Sequence, residues 1–259
     1  MTRRKRAHPD AGLREDVRQA IERAWPNDVI EMPSAFEESW FDDVEAHLGR
    51  DLRRVKGVGL FHEQSPEGLP PSMESKDEEY PAESEHSRSF HLFFLSPAGD
   101  EFAFAAETED YVELDDCDEE SMAEPEFLAE TVAGHGRVGW AVAVSLVAPF
   151  ALIRLSDMTT FDNRTVWEPG LDPHAETEDG MRIADPEAHF RKQAGEEAFA
   201  VLAQLRAKLA GILEKREIAV LPETEWCKPV PWLRGGEEVF VGASSEPVWV
   251  LDAFFFEGL

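Results

Sequence analysis

Cysteine is scarce in this chain. Cys117 and Cys227 are the only two, and two thiols so far apart form neither a zinc signature nor a disulfide framework. That usage suits a reducing compartment and predicts a cytoplasmic protein. Cys117 stands among Asp115, Asp116, Asp118 and Glu119, where negative charge disfavours the thiolate and blunts its reactivity. Long hydrophobic runs are lacking as well. The longest uncharged stretch lies between Arg137 and Arg154 and contains Pro149. It is too short for a membrane helix, which needs roughly 18 to 20 apolar residues. The basic start, Arg3 to Arg6, has no apolar stretch behind it, which argues against a secretory or twin-arginine signal and predicts a flexible tail over residues 1–12.

Signatures of chemistry are missing too. The sequence contains no P-loop, no G-x-S-x-G, no H-E-x-x-H and no paired C-x-x-C, and no internal repeat or heptad run. Gly134 to Gly139 does match G-x-G-x-x-G literally, with Asp157 near the distance of a ribose-binding acid. A dinucleotide site needs that motif after a strand and opening a helix. Here residues Pro125 to Val132 predict a helix before it and a strand after it, so a glycine turn is the expectation. The acidic run Glu107 to Glu120 places Asp115, Asp116 and Asp118 close together, but lacks the glycine of an EF-hand loop. No cofactor and no metal site is expected.

What is present in excess is negative charge. Fifty-four acidic residues face 25 basic ones, a formal net charge of -29. Such a field repels nucleic acid and anionic membrane and attracts basic partners.

The central stretch organises the fold. Val138, Trp140, Val142, Val144 and Leu146 alternate with Ala141, Ala143 and Ser145, the pattern of a strand with one large and one small face; a buried alanine-rich helix with Trp140, Val144, Val147 and Ala151 on one stripe is the alternative, which the density of valine disfavours. Pro149 marks a turn, and Phe150 to Leu155 alternates again. Before this, Leu13, Val17, Ile21 and Ala24 predict a short amphipathic helix ending at Pro26. A capping box at Ser34 and Glu37 starts a second helix, with Phe36, Trp40, Val44 and Leu48 on one stripe and Gly49 after its end. Val58 to Phe61 reads as a short strand, and residues 63–88 as an exposed acidic loop. Phe90 to Leu95 and Glu101 to Ala106, joined by turn chemistry at residues 97–100, predict a hairpin; His91 inside it reads as a core histidine. Pro186 to Arg216 is the main helix, with Phe199, Leu202, Leu205, Leu209 and Ile212 as its stripe, and His189 exposed near its start. The last 43 residues read as strands at 217–221, 230–233, 239–241 and 248–256, with a turn at Gly235 and Gly236.

These patterns predict an α+β fold: a mostly antiparallel sheet packed by two N-terminal helices and one long helix in the C-terminal half. A single domain over residues 13–259 is expected, a split near residue 180 being the alternative. The leading functional expectation is an acidic binding protein, of the immunity or antitoxin type, that inhibits a basic enzyme such as a nuclease toxin. Glu107, Glu109, Asp110, Asp115, Asp116, Asp118 and Glu119 are the expected partner-binding residues. One alternative is a hydrolase-like enzyme built on the polar segment 157–185, with Asp162, Asp172 and His174 as candidate catalytic residues and Trp167 pinning the segment to the core. A structural or scaffolding role is the other.

Overall fold

The computed structural model of the chain describes residues 11–31, 47–64, 89–113, 127–161, 165–167, 186–236, 239–240, 248–255 and 257–258. In chain order the elements are α1 (Glu15–Ala24), β1 (Val29–Ile30), α2 (Gly49–Arg53), β2 (Val58–Gln64), β3 (Phe90–Pro97), a 3-10 turn (Asp100–Phe102), β4 (Ala103–Glu113), β5 (Phe127–Ser145), β6 (Phe150–Phe161) and β7 (Thr165–Val166). They continue with α3 (Pro186–Lys215), β8 (Ala219–Val220), α4 (Glu223–Trp226), β9 (Arg234–Gly235), β10 (Val239–Phe240), α5 (Val250–Phe254) and β11 (Glu257–Gly258).

The alternating apolar residues of β5 make it the axis of a seven-stranded sheet. On one edge β5 pairs with β6, from Gly134 opposite Phe161 to Val144 opposite Ala151. On its other edge it has two partners laid end to end. β3 pairs with Trp140 to Ser145, and β4 with Phe127 to Arg137, both antiparallel. The expected hairpin between β3 and β4 therefore does not form. After Pro97 the chain steps aside through Gly99, at φ 137°, and the 3-10 turn, then resumes its original direction. A tight hairpin would have reversed it. Arg137 secures the break: its guanidinium donates to Ser96 Oγ at 3.1 Å, to the carbonyl of Pro97 and to that of Gly99 at 3.0 Å. β2 lies outside β3, while β7 and the parallel β8 flank β6.

Other expectations change with this register. Phe127 to Val132 belongs to β5 rather than to a helix, and Gly134, Gly136 and Gly139 lie inside the strand rather than in a turn. They are small because neighbours occupy the space above them. A Cβ on Gly136 would run into the Phe104 ring, one on Gly134 would lie against the Phe161 ring, and one on Gly139 against the Leu95 carbonyl. Gly49 opens α2 instead of ending a helix; the capping box at Ser34 lies outside the described residues. Glu63 and Gln64 belong to β2, so the polar segment begins later than its composition implies. Near the C-terminus, Val230 to Leu233 is not a strand, Gly235 pairs with Ile30 in β9, and Val250 to Phe254 is helical. There Asp252 accepts from the Trp249 backbone N–H at 2.7 Å and caps the helix start. The carbonyls of Ala253 and Phe254 are taken by Trp25 Nε1 and Ser89 Oγ.

Both faces of the sheet are covered. Trp140, Val142, Val144, Phe93, Leu95, Ile153 and Leu155 pack under α3, whose buried stripe is Ala198, Leu202, Leu205, Leu209 and Leu213, with Leu52 of α2 beside it. Phe199 and Ile212 flank this stripe rather than forming it. Trp140 Nε1 donates to the Leu202 carbonyl at 2.9 Å. On the other face, Ala141, Ala143, Phe90, Leu92, Phe94 and Leu152 pack against α1 through Val17 and Ile21, and against the C-terminal segment through Trp226, Val230, Val250 and Phe254. This is the α+β arrangement, with α3 covering the sheet as expected. α3 is broken at Gly195, where φ is 87° and ψ 169°, so Pro186 to Ala194 is a separate helical piece. Among the described residues no helix is long and apolar enough to cross a membrane.

Candidate functional site

Strands β4 and β5 run on past the rest of the sheet. β6 accompanies β5 as far as Gly134, whereas β4 follows it to Phe127. Beyond Gly134 the two form a two-stranded ribbon, and no other strand among the described residues borders it. Glu107, Glu109 and Asp110 all lie on β4 within this ribbon. Glu107 is exposed. The register sets Asp110 opposite Glu130. Like charges in opposed positions cost stability unless a cation meets them. Asp115, Asp116, Asp118 and Glu119 lie outside the described residues, so the ribbon accounts for three of the seven expected partner-binding acids.

The expected catalytic residues Asp162, Asp172 and His174 also lie outside the described residues. Their neighbour Trp167 is buried as expected. Its Nε1 donates to Ser156 Oγ at 3.2 Å, and its ring meets Phe94 and His62 edge-on at 5.5 and 5.7 Å. Burial lowers the pKa of His62, with Glu63 opposing weakly.

At the root of the ribbon, on the α3 side of the sheet, lies a cavity of about 470 Å³. The strand period builds its floor: Val138 of β5 and Leu155 and Asp157 of β6 share one face, and Val138 stands opposite Asp157. Phe104, lying across Gly136, forms one wall. Phe102 and Phe190 form another, with ring centroids 6.2 Å apart and planes 15° apart. Gln193 and Ala194, just before the Gly195 break, close the helix side, and Glu101 stands at the rim. Asp157 lines the cavity and is exposed, yet its carboxyl gives up part of its water to the protein around it. That loss of water pushes its pKa up, offset in part by its own backbone N–H.

The sequence pattern noted Asp157 only as a distance from the glycine motif and as the first residue of the polar segment 157–185, whose first five residues in fact belong to β6. The signal for it was the alternation itself: Ile153 and Leu155 face α3, and two residues further the same face carries a carboxylate. The glycine motif opens no helix, so it lacks the geometry of a dinucleotide site.

A second titratable pair lies deeper. His91 is 1% exposed and stacks on Phe93 with centroids 4.5 Å apart. Its Nε2 is 3.2 Å from Glu63 Oε1, an electrostatic contact off the hydrogen-bonding direction. Burial lowers the His91 pKa, and Glu63 pulls it partly back. Glu63 also accepts from Arg53 at 3.0 Å. This is the core histidine the sequence implied. Among the described residues no three His, Cys, Asp or Glu side chains converge to hold a metal ion. No protein family, no curated protein and no solved structure matches the chain.

Proposed function

We propose that this protein is an acidic binding protein that docks a basic partner, in the manner of an immunity or antitoxin protein held against a basic enzyme such as a nuclease toxin. The observation that carries the reading is the ribbon: Glu107, Glu109 and Asp110 sit on the stretch of β4 that leaves the sheet, with Glu130 in register on β5. An acidic projection on a chain of net charge -29 raises the local concentration of a cationic partner and speeds encounter. Ribbon backbone that no other described strand borders also suits strand pairing with that partner.

The test compares wild type with the triple variant Glu107→Gln, Glu109→Gln, Asp110→Asn. Both are immobilised and exposed at low salt to extract from the source cells, and any basic protein retained by wild type is purified. Its association rate is then measured against ionic strength. The expected result is one basic protein, held by wild type and lost by the variant, whose on-rate falls steeply with salt. Equal retention by both proteins, or a rate indifferent to salt, overturns the reading.

A further inference from the structure

The cavity at the root of the ribbon combines an apolar lining with charge of one sign. Its ionisable lining groups are Asp157 and Glu101, and no Lys, Arg or His lines it among the described residues. The arginine nearest in register, Arg137, has its guanidinium engaged on the opposite side with Ser96, Pro97 and Gly99. The Ser156 hydroxyl is likewise engaged, by Trp167. Most of the remaining wall is aromatic and aliphatic carbon, including Phe102, Phe104 and Phe190. Its volume, about 470 Å³, falls within the range of small-molecule sites, roughly 300 to 1,000 Å³.

We propose that this cavity binds a small organic cation, an ammonium group on an apolar body, with Asp157 meeting the charge and the phenylalanine rings the hydrocarbon. Three lines of chemistry converge on that class. A carboxylate partly withdrawn from water, with no cation among the described residues that line its cavity, gains most from a ligand that brings one. Aromatic faces attract cations through the ring quadrupole, so the walls favour the same charge as the floor. An anionic ligand of the same shape meets two carboxylates and is repelled, and a neutral one leaves Asp157 uncompensated. The upward pKa shift of Asp157 has burial as its cause, with no cation among the described residues opposing it.

The site stands apart from the basic-partner reading, since its carboxylate is on β6 and not on the ribbon. Calorimetric titration of the full chain at pH 7.5 and fixed ionic strength with benzylammonium, benzyl alcohol and benzoate tests it. Benzylammonium is expected to bind at least about tenfold more tightly than benzyl alcohol, one factor of ten being a typical charge-assisted contribution, and benzoate not to bind. Asp157→Asn is expected to remove the preference for the cation while leaving benzyl alcohol unchanged. Val138→Phe, a change at the half-buried floor opposite Asp157, fills the cavity and should abolish binding of both. Thermal melts confirm that each variant is folded. The ribbon triple variant should bind benzylammonium as wild type does, which separates the cavity from general attraction to an acidic surface. Equal affinity for amine and alcohol, an Asp157→Asn affinity within about twofold of wild type, or loss of binding in the ribbon variant overturns the proposal, as does no binding at all.

Discussion

From Trp140 to Ser145, β5 has β3 on one edge, β6 on the other, and packed side chains on both faces; from Phe127 to Ala133 its described strand partner is β4 alone. The first half is held by burial. Trp140, Ala141, Val142, Ala143 and Val144 are completely buried, and each contributes through apolar area removed from water. The second half continues the same backbone ladder, with Thr131 and Ala133 exposed and the acids Glu107, Glu109 and Asp110 on the strand beside it. Between the halves lie Gly134, Gly136 and Gly139, with rings and backbone of neighbouring strands in the space their side chains would occupy. Backbone pairing can thus carry a strand beyond its core, and the transition zone is where a cavity fits.

The two halves of β5 differ most in what they lose on truncation, and the largest loss is at Trp140. Trp140→Ala should lower the unfolding free energy by about 3–5 kcal/mol, read from urea denaturation, because it removes a fully buried ring and its bond to the Leu202 carbonyl. Thr131→Ala, an exposed position on the ribbon half, should stay within about 0.5 kcal/mol. Next in size is Gly136→Ala at the boundary, expected to cost about 1–3 kcal/mol by overpacking against Phe104. Adding Phe104→Ala to it should cost less than the two changes summed, since the ring that meets the new methyl is gone.

A smaller effect separates the halves by pH. His91 has its pKa lowered by burial, so the unfolded chain takes up its proton first. The stability tied to the neutral ring is complete above the unfolded value of 6.5 and is lost as pH falls through the folded one. His91→Phe, with the aromatic stack on Phe93 kept, should therefore lose less stability between pH 7.5 and 5.5 than wild type does. Asp157, whose pKa is raised, acts in the opposite sense, which is why the difference between the two proteins is the quantity to measure. The smallest expected change in stability is that of the ribbon triple variant, within about 0.5 kcal/mol. Any gain should shrink as added salt screens the ribbon's own repulsion.

The alternation from Val138 to Leu155 carried the central strands, the Pro149 turn and the burial of both faces into plain sight, because the density of valine favours strands over the alanine-rich helix the same residues allow. The pairing was less visible. Residues 97–100 have turn chemistry, but whether a turn reverses the chain or offsets it depends on partners far away in sequence, here Arg137 and its three acceptors. Phe127 to Val132 reads as helical because Leu128, Ala129 and Glu130 are good helix formers, and the ladder with β4 overrides them. Val250 to Phe254 looks like a strand from its large apolar residues; Asp252 as a capping side chain tips it to a helix. The ribbon acids stood out by charge alone. Asp157 did not, because a single acid after an apolar strand becomes informative only once the face it occupies is known.

The layout of β5 also sets a timetable during synthesis. Phe90 opens β3 and pairs with Ser145, 55 residues later. At roughly 5–20 residues per second a ribosome needs about 3–11 seconds to make that interval. Throughout it, the nearly all-apolar segment from Phe90 to Leu95 can meet β2 along one edge while its other edge stays open. β4 waits in the same way for the earlier half of β5. Completion of one late strand then closes both at once, so the nascent chain passes through an interval in which its most aggregation-prone edge has only solvent or a chaperone for company.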